Sequence, residues 1–349
     1  MKKRYLALLM MGTLIIGSLA MASPPPSSYR LLKRIPLGAA PGGEEYFDYL
    51  TVDTDARRIY LSHGTEVKVI DADSFAVVGT ISGLQKCHGI ALVKDLGKGF
   101  ITDADAGQVA VFDIKSLKIT GRIETNAPGT DSIVYDPASK HIFAFNGDSK
   151  NASVIDPNSE TLIKTIYLWG SPEFPVADGK GMIYDDNEDL NVVMAIDTKT
   201  NEVKDKWPVA PEGAPVALAI DRAHRRLFSA GRGPQFLVVM DADNGKVIQS
   251  FPISGGVDAT VYEPETGLIF SSTRDGKIHT FHEDSPDKYR EAGTVETEFG
   301  AKTMAVDPRT HNLFLTTSDF GPVPAPTLDV PHRNRPAIRG TFRLLIYRR

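Results

Sequence analysis

Val67-Lys68-Val69-Ile70-Asp71 is the first of five stretches that share one pattern, an apolar run of strand-forming residues closed by an acid. The others are Val109-Ala110-Val111-Phe112-Asp113, Ala152-Ser153-Val154-Ile155-Asp156, Val193-Met194-Ala195-Ile196-Asp197 and Leu237-Val238-Val239-Met240-Asp241. Their acids are 42, 43, 41 and 44 residues apart. A fixed period of that length marks one supersecondary unit copied along the chain, so it decides the fold before any single residue is weighed.

Working outward, each copy belongs to a group of four short strands. The first strand ends in an acid-led turn, as at Asp53-Thr54, Asp136-Pro137, Asp221-Arg222, Glu263-Pro264 and Asp307-Pro308. Second strands such as Arg58–Ser62, Lys98–Thr102 and Arg226–Ala230 follow, and fourth strands resemble Ala76–Ile81 and Leu117–Ile123. Alternating β-branched and polar residues between Asp, Gly and Pro turns are what four-stranded antiparallel blades require. Seven first strands begin near Asp48, His88, Asp131, Glu173, Val216, Asp258 and Lys302. The seventh group has no fourth strand after Arg343-Leu344-Leu345-Ile346-Tyr347, while Tyr29 to Ile35 reads as an orphan fourth strand ahead of the first group. Pairing the two closes a ring and removes its exposed edges. Residues 29–349 are therefore expected to form an all-β, seven-bladed propeller.

Residues 1–22 read as an export signal: Lys2, Lys3 and Arg4, an apolar run from Tyr5 to Ala20, and the small-x-small pattern Ala20-Met21-Ala22. A Pro/Ser-rich spacer, 23–28, follows. The expected location is periplasmic or secreted, with no stable membrane span after cleavage and no cysteine at the cleavage point for a lipid anchor. Removing the signal leaves 36 basic against 44 acidic residues, a balance of −8. That balance argues against a general nucleic-acid binder, whose affinity rests on neutralising phosphates. Cys87 is the only cysteine, so no internal disulfide is available and stability must come from a large core. A monomer is expected.

Several blocks carry a family likeness: Phe145-Asn146-Gly147-Asp148-Ser149, Pro172-Glu173-Phe174-Pro175-Val176-Ala177-Asp178-Gly179, His224-Arg225-Arg226-Leu227-Phe228, Gly256-Val257-Asp258-Ala259 and Thr303-Met304-Ala305-Val306-Asp307-Pro308. Over residues 29–349 the chain resembles the YVTN-repeat, or YncE-like, propeller family. That family has no single established activity. The resemblance implies an exported binding propeller, and one member class has been linked to single-stranded DNA, a partner that the acidic chain disfavours. Other propeller types lack their marks here. There is no Gly-His…Trp-Asp pairing, no second cysteine for a haem motif at Cys87-His88, and only Trp169 and Trp207 where quinone-cofactor propellers need repeated tryptophans. Neither a Gly-x-Ser-x-Gly elbow nor an HExxH helix occurs.

Function is to be sought where the copies differ. In a propeller the first strands surround the channel, so Asp48, His88, Asp131, Glu173, Val216, Asp258 and Lys302 are expected around its mouth. Two carboxylates ~8 Å apart at an effective dielectric of ~20 repel by roughly 2 kcal/mol, so several together favour a cation or protonation. Asp48, Asp131, Glu173 and Asp258 suit Ca²⁺ or Mg²⁺, and His88 with a carboxylate would suit a transition metal. A hydrated acidic vestibule without an ion is the simpler alternative. Loops between second and third strands bring His63, Asp103, Asp105, Asn146, Asp148, Glu188, Asp189, Arg232, Arg274 and Asp275 to the same face. The acids lie mainly in the first four blades and Arg232, Arg274 and Lys302 in the last three, a polarity that suits a zwitterionic ligand, or an anionic one bridged through a cation.

The longest interruption of the repeat, Phe320 to Gly340, holds five prolines with His332, Arg333, Arg335 and Arg339. It is expected to cover the mouth and add positive charge to the ligand site. Asp71, Asp113, Asp156, Asp197 and Asp241 recur too regularly to be catalytic and are read as turn formers. Cys87 is read as a small buried apolar residue. Three functions follow. The first is a ligand- or protein-binding module using the mouth face. The second is a divalent-metal-dependent, lactonase-like hydrolase or lyase, with His88 or His63 as base and Glu173 or Asp131 as metal ligands. The third is a structural protein of the cell envelope.

Overall fold

A computed structural model describes residues 28–42, 45–325 and 334–349. It contains seven four-stranded antiparallel sheets arranged in a ring. Blade one, for example, runs Phe47–Asp53, Arg58–His63, Glu66–Asp71 and Val77–Ser82 from the channel outward. In the seventh blade Met304–Val306, Leu313–Thr317 and Phe342–Arg348 are completed by the N-terminal strand Arg30–Gly38, which pairs Arg30 with Arg348 and Ile35 with Leu344. The orphan strand supplies the missing edge, as expected. The export signal, most of the spacer and Arg333 lie outside the described residues. Among the described residues no helix is long and apolar enough to cross a membrane.

Each seam between neighbouring blades carries its own apolar cluster. Between blades one and two, Tyr60, Val69 and Ile81 pack against Cys87, Ile101 and Phe112; between seven and one, Leu344 and Ile346 pack against Ile59 and Ile70. Third strands are therefore covered on both faces, and Val109, Ala110, Val111 and Phe112 are all fully buried. That is why the signature is a continuous apolar run, whereas a half-exposed fourth strand such as Thr161–Tyr167 alternates. The packing is tight enough to dictate a glycine: a Cβ on Gly99 would lie 2.1 Å from the Phe112 ring.

The recurring acids are turn formers. Asp71 accepts from the Ser74 amide at 2.7 Å, Asp113 from Ser116 at 2.6 Å, and Asp156, Asp197 and Asp241 from Asn158, Lys199 and Asp243 at 2.8 Å. A second set of acids, at the ends of first strands, ties neighbouring blades together. Asp53 holds Lys94 at 2.7 Å, Asp178 holds Arg225 at 3.0 Å, Glu263 holds His311 at 2.7 Å, and Asp307 holds Arg57 at 2.8 Å across the closure of the ring.

Candidate functional site

In six blades the pairing of first and second strands slips at the mouth end, between Phe47 and Leu50, Cys87 and Ile90, Thr130 and Ile133, Pro172 and Pro175, Pro215 and Ala217, and Val257 and Ala259. A bulge re-aims the side chain it releases. Asp48, His88, Asp131, Glu173, Val216 and Asp258 all sit at these slips, and Lys302 stands two residues before the seventh inner strand. The sequence alignment of the copies thus identifies equivalent positions in space.

These residues build an ionic belt. The Asp131 and Asp48 carboxylates lie 2.7 and 2.8 Å from His88 Nδ1, and the Tyr46 hydroxyl is 2.8 Å from both that nitrogen and Asp48 Oδ2. On its other oxygen Asp48 meets Lys302 at 3.3 Å, and Lys302 reaches Asp258 at 3.5 Å. Asp258 also takes Arg232 at 2.6 Å and Arg274 at 2.7 Å, and Arg232 faces Glu188 at 3.6 Å. Glu188 in turn meets the Glu173 carboxyl. Acid and base alternate from Asp131 round to Glu188, and the alternation breaks only where Glu173 follows, next to Asp131.

The pKa shifts follow this circuit. Burial opposes protonation of His88, but Asp131 and Asp48 outweigh it and lift the imidazole to about 9. Burial works against ionisation of Asp48 and Asp258 too, yet Lys302, with His88 at one and the two arginines at the other, holds both carboxyls below their ordinary value. Across the break the balance reverses. Burial, reinforced by Asp131 and Glu188, pushes Glu173 up to about 9. Burial also raises Asp131, which His88 only partly offsets.

Beneath the belt, Tyr49 of blade one reaches across to blade four. Its hydroxyl donates to the Glu173 carbonyl at 3.2 Å and its ring lies 5.5 Å from that of Phe174. The mouth is thus a vestibule with an aromatic floor. Two clefts open from it. One, of about 640 Å³, includes His88, Asp105, Asp131, Asp148 and Glu173 and is acidic. The other, of about 820 Å³, lies between the belt and the described ends of the proline-rich segment and is lined by Tyr46, Phe299, Phe320, Lys302, Arg335 and Arg339 among others. Tyr46 lines the second and His88 the first, so their 2.8 Å contact is the partition.

Not every expected residue reaches this face. His63 is fully buried, bonded through Nε2 to Glu45 and stacked 3.9 Å from the Phe342 ring. Asn146 is fully buried and donates to Asn151 and Ser153 within its own blade. Asp103 is buried and accepts from the Gln85 and Lys86 amides. Cys87 is fully buried, and burial lifts its thiol to about 12.

Three further carboxyls lie outside the positions that the repeat aligns at the mouth. Asp185, Asp186 and Glu212 are buried beside the break, and Ser229 Oγ lies 2.8 Å from Asp186 and 2.6 Å from Glu212. Asp185 meets no side-chain donor among the described residues, and only the Glu173 amide favours its charge. Burial raises the pKa of all three. The signal was present: Asp185-Asp186 stands at a second-strand register where blades one and two carry Leu61-Ser62 and Ile101-Thr102.

Fold and site define a seven-bladed propeller with a charged vestibule at the channel mouth. Comparison with models of known protein families gave no match, and neither did comparison with curated proteins.

Proposed function

We propose that the protein is an exported binding propeller of the YVTN type whose ligand seats on the channel-mouth face. One observation carries this reading: two clefts of opposite character adjoin at Tyr46 and His88, one acidic at the break in the belt, the other aromatic and cationic. A face polarised in this way orients a dipolar or charged ligand, and broad concave sites of this size suit small molecules and short peptides. The leader pattern of residues 1–22 supports export to the periplasm or medium. The test is a thermal-shift and calorimetric panel of small zwitterions, organic anions, amines and short peptides. At least one class should raise Tm, and Glu173→Gln or Arg274→Gln should weaken that response. A panel without any saturable binder would sink the proposal.

A second reading, metal-dependent hydrolysis, is favoured by one observation: donor atoms of Asp48, His88 and Asp131 all lie within 4.8 Å of one another. Two carboxylates and an imidazole fit a transition metal, which would polarise a carbonyl or activate water. Against it, Lys302 and Tyr46 already engage Asp48. Elemental analysis of the purified protein decides between the readings. A stoichiometric metal lost in Asp131→Ala would favour hydrolysis, and a Tm indifferent to chelators would favour the binding module.

A further inference from the structure

We propose that the cleft beside the proline-rich segment takes a small organic anion, a carboxylate or sulfonate carried on an aromatic or apolar body. This rests on the reading of the mouth face as a binding site and names the chemistry of its ligand.

Among the described residues the charge of the cleft is one-sided: Arg274, Lys302, Arg335 and Arg339 line it against a single acid, Glu45. Both Glu45 oxygens are engaged, Oε1 by His63 Nε2 and Oε2 by the Gly340 amide at 3.0 Å. Lys302 and Arg274 share Asp258, but Arg274 Nε is buried with no hydrogen-bond partner. Among the described residues Arg335 has no carboxylate partner; its guanidinium lies 5.3 Å from the Phe299 ring. Among the same residues Arg339 makes one hydrogen bond, to the Ala40 carbonyl at 3.1 Å. Two guanidiniums thus face the cleft without an acid, and their planar forks match carboxylate or sulfonate oxygens.

The apolar walls are as specific. Phe299 packs edge-on against Phe320 with ring centroids 5.5 Å apart, yet it remains 51% exposed, and Val323 is 57% exposed. Tyr46 and Phe47 complete the aromatic lining. An exposed ion pair is worth little by itself, because water and salt compete for both charges. A ligand must therefore cover the Phe299 and Phe320 rings as well, which requires an apolar body attached to its acid. The acidic cleft on the far side of Tyr46 repels the same anion and fixes its direction, acid toward Arg335 and Arg339.

Three probes separate the contributions: 4-phenylbutyrate, 4-phenylbutylamine with a matched aromatic body and the opposite charge, and acetate with the charge alone. Calorimetry on the whole protein should show 4-phenylbutyrate binding at least tenfold tighter than either control. Phe299→Ala and Arg335→Gln change exposed side chains; each should weaken 4-phenylbutyrate tenfold or more while leaving the thermal melt unchanged. Equal binding of the amine, binding of acetate as tight as that of 4-phenylbutyrate, variants that bind like wild type, or no binding of 4-phenylbutyrate would each overturn the assignment. In those cases a zwitterion, amine or peptide binding elsewhere on the mouth would leave the broader proposal standing.

Discussion

Lys302, ahead of the innermost strand of the last blade, holds Asp48, at the start of the innermost strand of the first, at 3.3 Å, and so the ionic belt crosses the closure of the ring. The same ammonium reaches Asp258 at 3.5 Å, which makes it a cation shared by blades six, seven and one. Replacing it with Met leaves two nearly buried carboxylates short of a partner, although His88 and the two arginines remain. Breaking a buried pair on one side costs about 3–5 kcal/mol, and the remaining partners should hold Lys302→Met near the lower end. Urea unfolding at pH 7 measures it; a loss below about 1 kcal/mol, the value of an exposed pair, would show that the belt contributes nothing to closure.

Stability should fall as the medium turns alkaline. His88 is held up at about 9 in the folded protein against 6.5 in an unfolded chain. Its contribution is fully present below pH 6.5 and is lost as pH rises through about 9; a shift of that size is worth about 3 kcal/mol. Glu173 acts in the same direction, because the unfolded carboxyl ionises from pH 4.5 while the folded one keeps its proton up to about 9. Denaturant titrations at pH 6, 7.5 and 9 should give steadily lower stability, and His88→Gln should flatten the upper half of that slope. A flat wild-type profile would show that His88 is not a buried imidazolium.

The repeat was legible because neighbouring blades bury the third strands on both faces, which leaves residues such as Val109 to Phe112 no freedom to be polar. The belt was legible for a related reason: equivalent positions in copies of one unit stay equivalent in space, so aligning Asp48, His88, Asp131 and Glu173 located them together. Parity and distance hide the rest of the site. His63 and Asn146 end second strands, where a one-residue difference in register turns a side chain from the mouth into the wall. The Tyr49 to Glu173 contact joins residues 124 apart, and the aromatic cleft draws on Phe299 and Phe320, which belong to no repeated position.

Asp185 offers a test of a residue that weakens the fold. It is fully buried with no side-chain donor among the described residues and only the Glu173 amide to favour its charge, at a register where blade three carries Ala144. Burial raises its pKa, so the unfolded chain gains on ionisation above about pH 4 and the folded one does not. Asp185→Ala should therefore raise Tm at pH 7–8, with the gain shrinking toward pH 4. A lower Tm at pH 8 would mean that the carboxyl has a compensating partner, such as a bound cation.

The last prediction concerns ring closure. Arg57 and Asp307, 250 residues apart, form a two-pronged pair at 2.9 and 2.8 Å, with Asp307 fully buried and also accepting from the Thr310 hydroxyl at 2.6 Å. Burial disfavours the Asp307 charge, but Arg57 and the turn around Thr310 outweigh it and keep its pKa low. Arg57→Met removes the guanidinium and leaves that charge inside the seam, at a cost of about 3–5 kcal/mol. The exposed end of the same arginine, toward Asp73, should contribute little. Because the contact joins the ends of the repeat array, loop-closure entropy delays it until the ring is assembled. The loss should then appear as faster unfolding with the folding rate nearly unchanged. Lys98→Met, which breaks a part-exposed pair with Glu160, serves as the comparison and should cost less than about 1 kcal/mol. Stopped-flow chevrons separate the outcomes: an Arg57→Met protein that folds more slowly but unfolds at the wild-type rate would place closure early in folding.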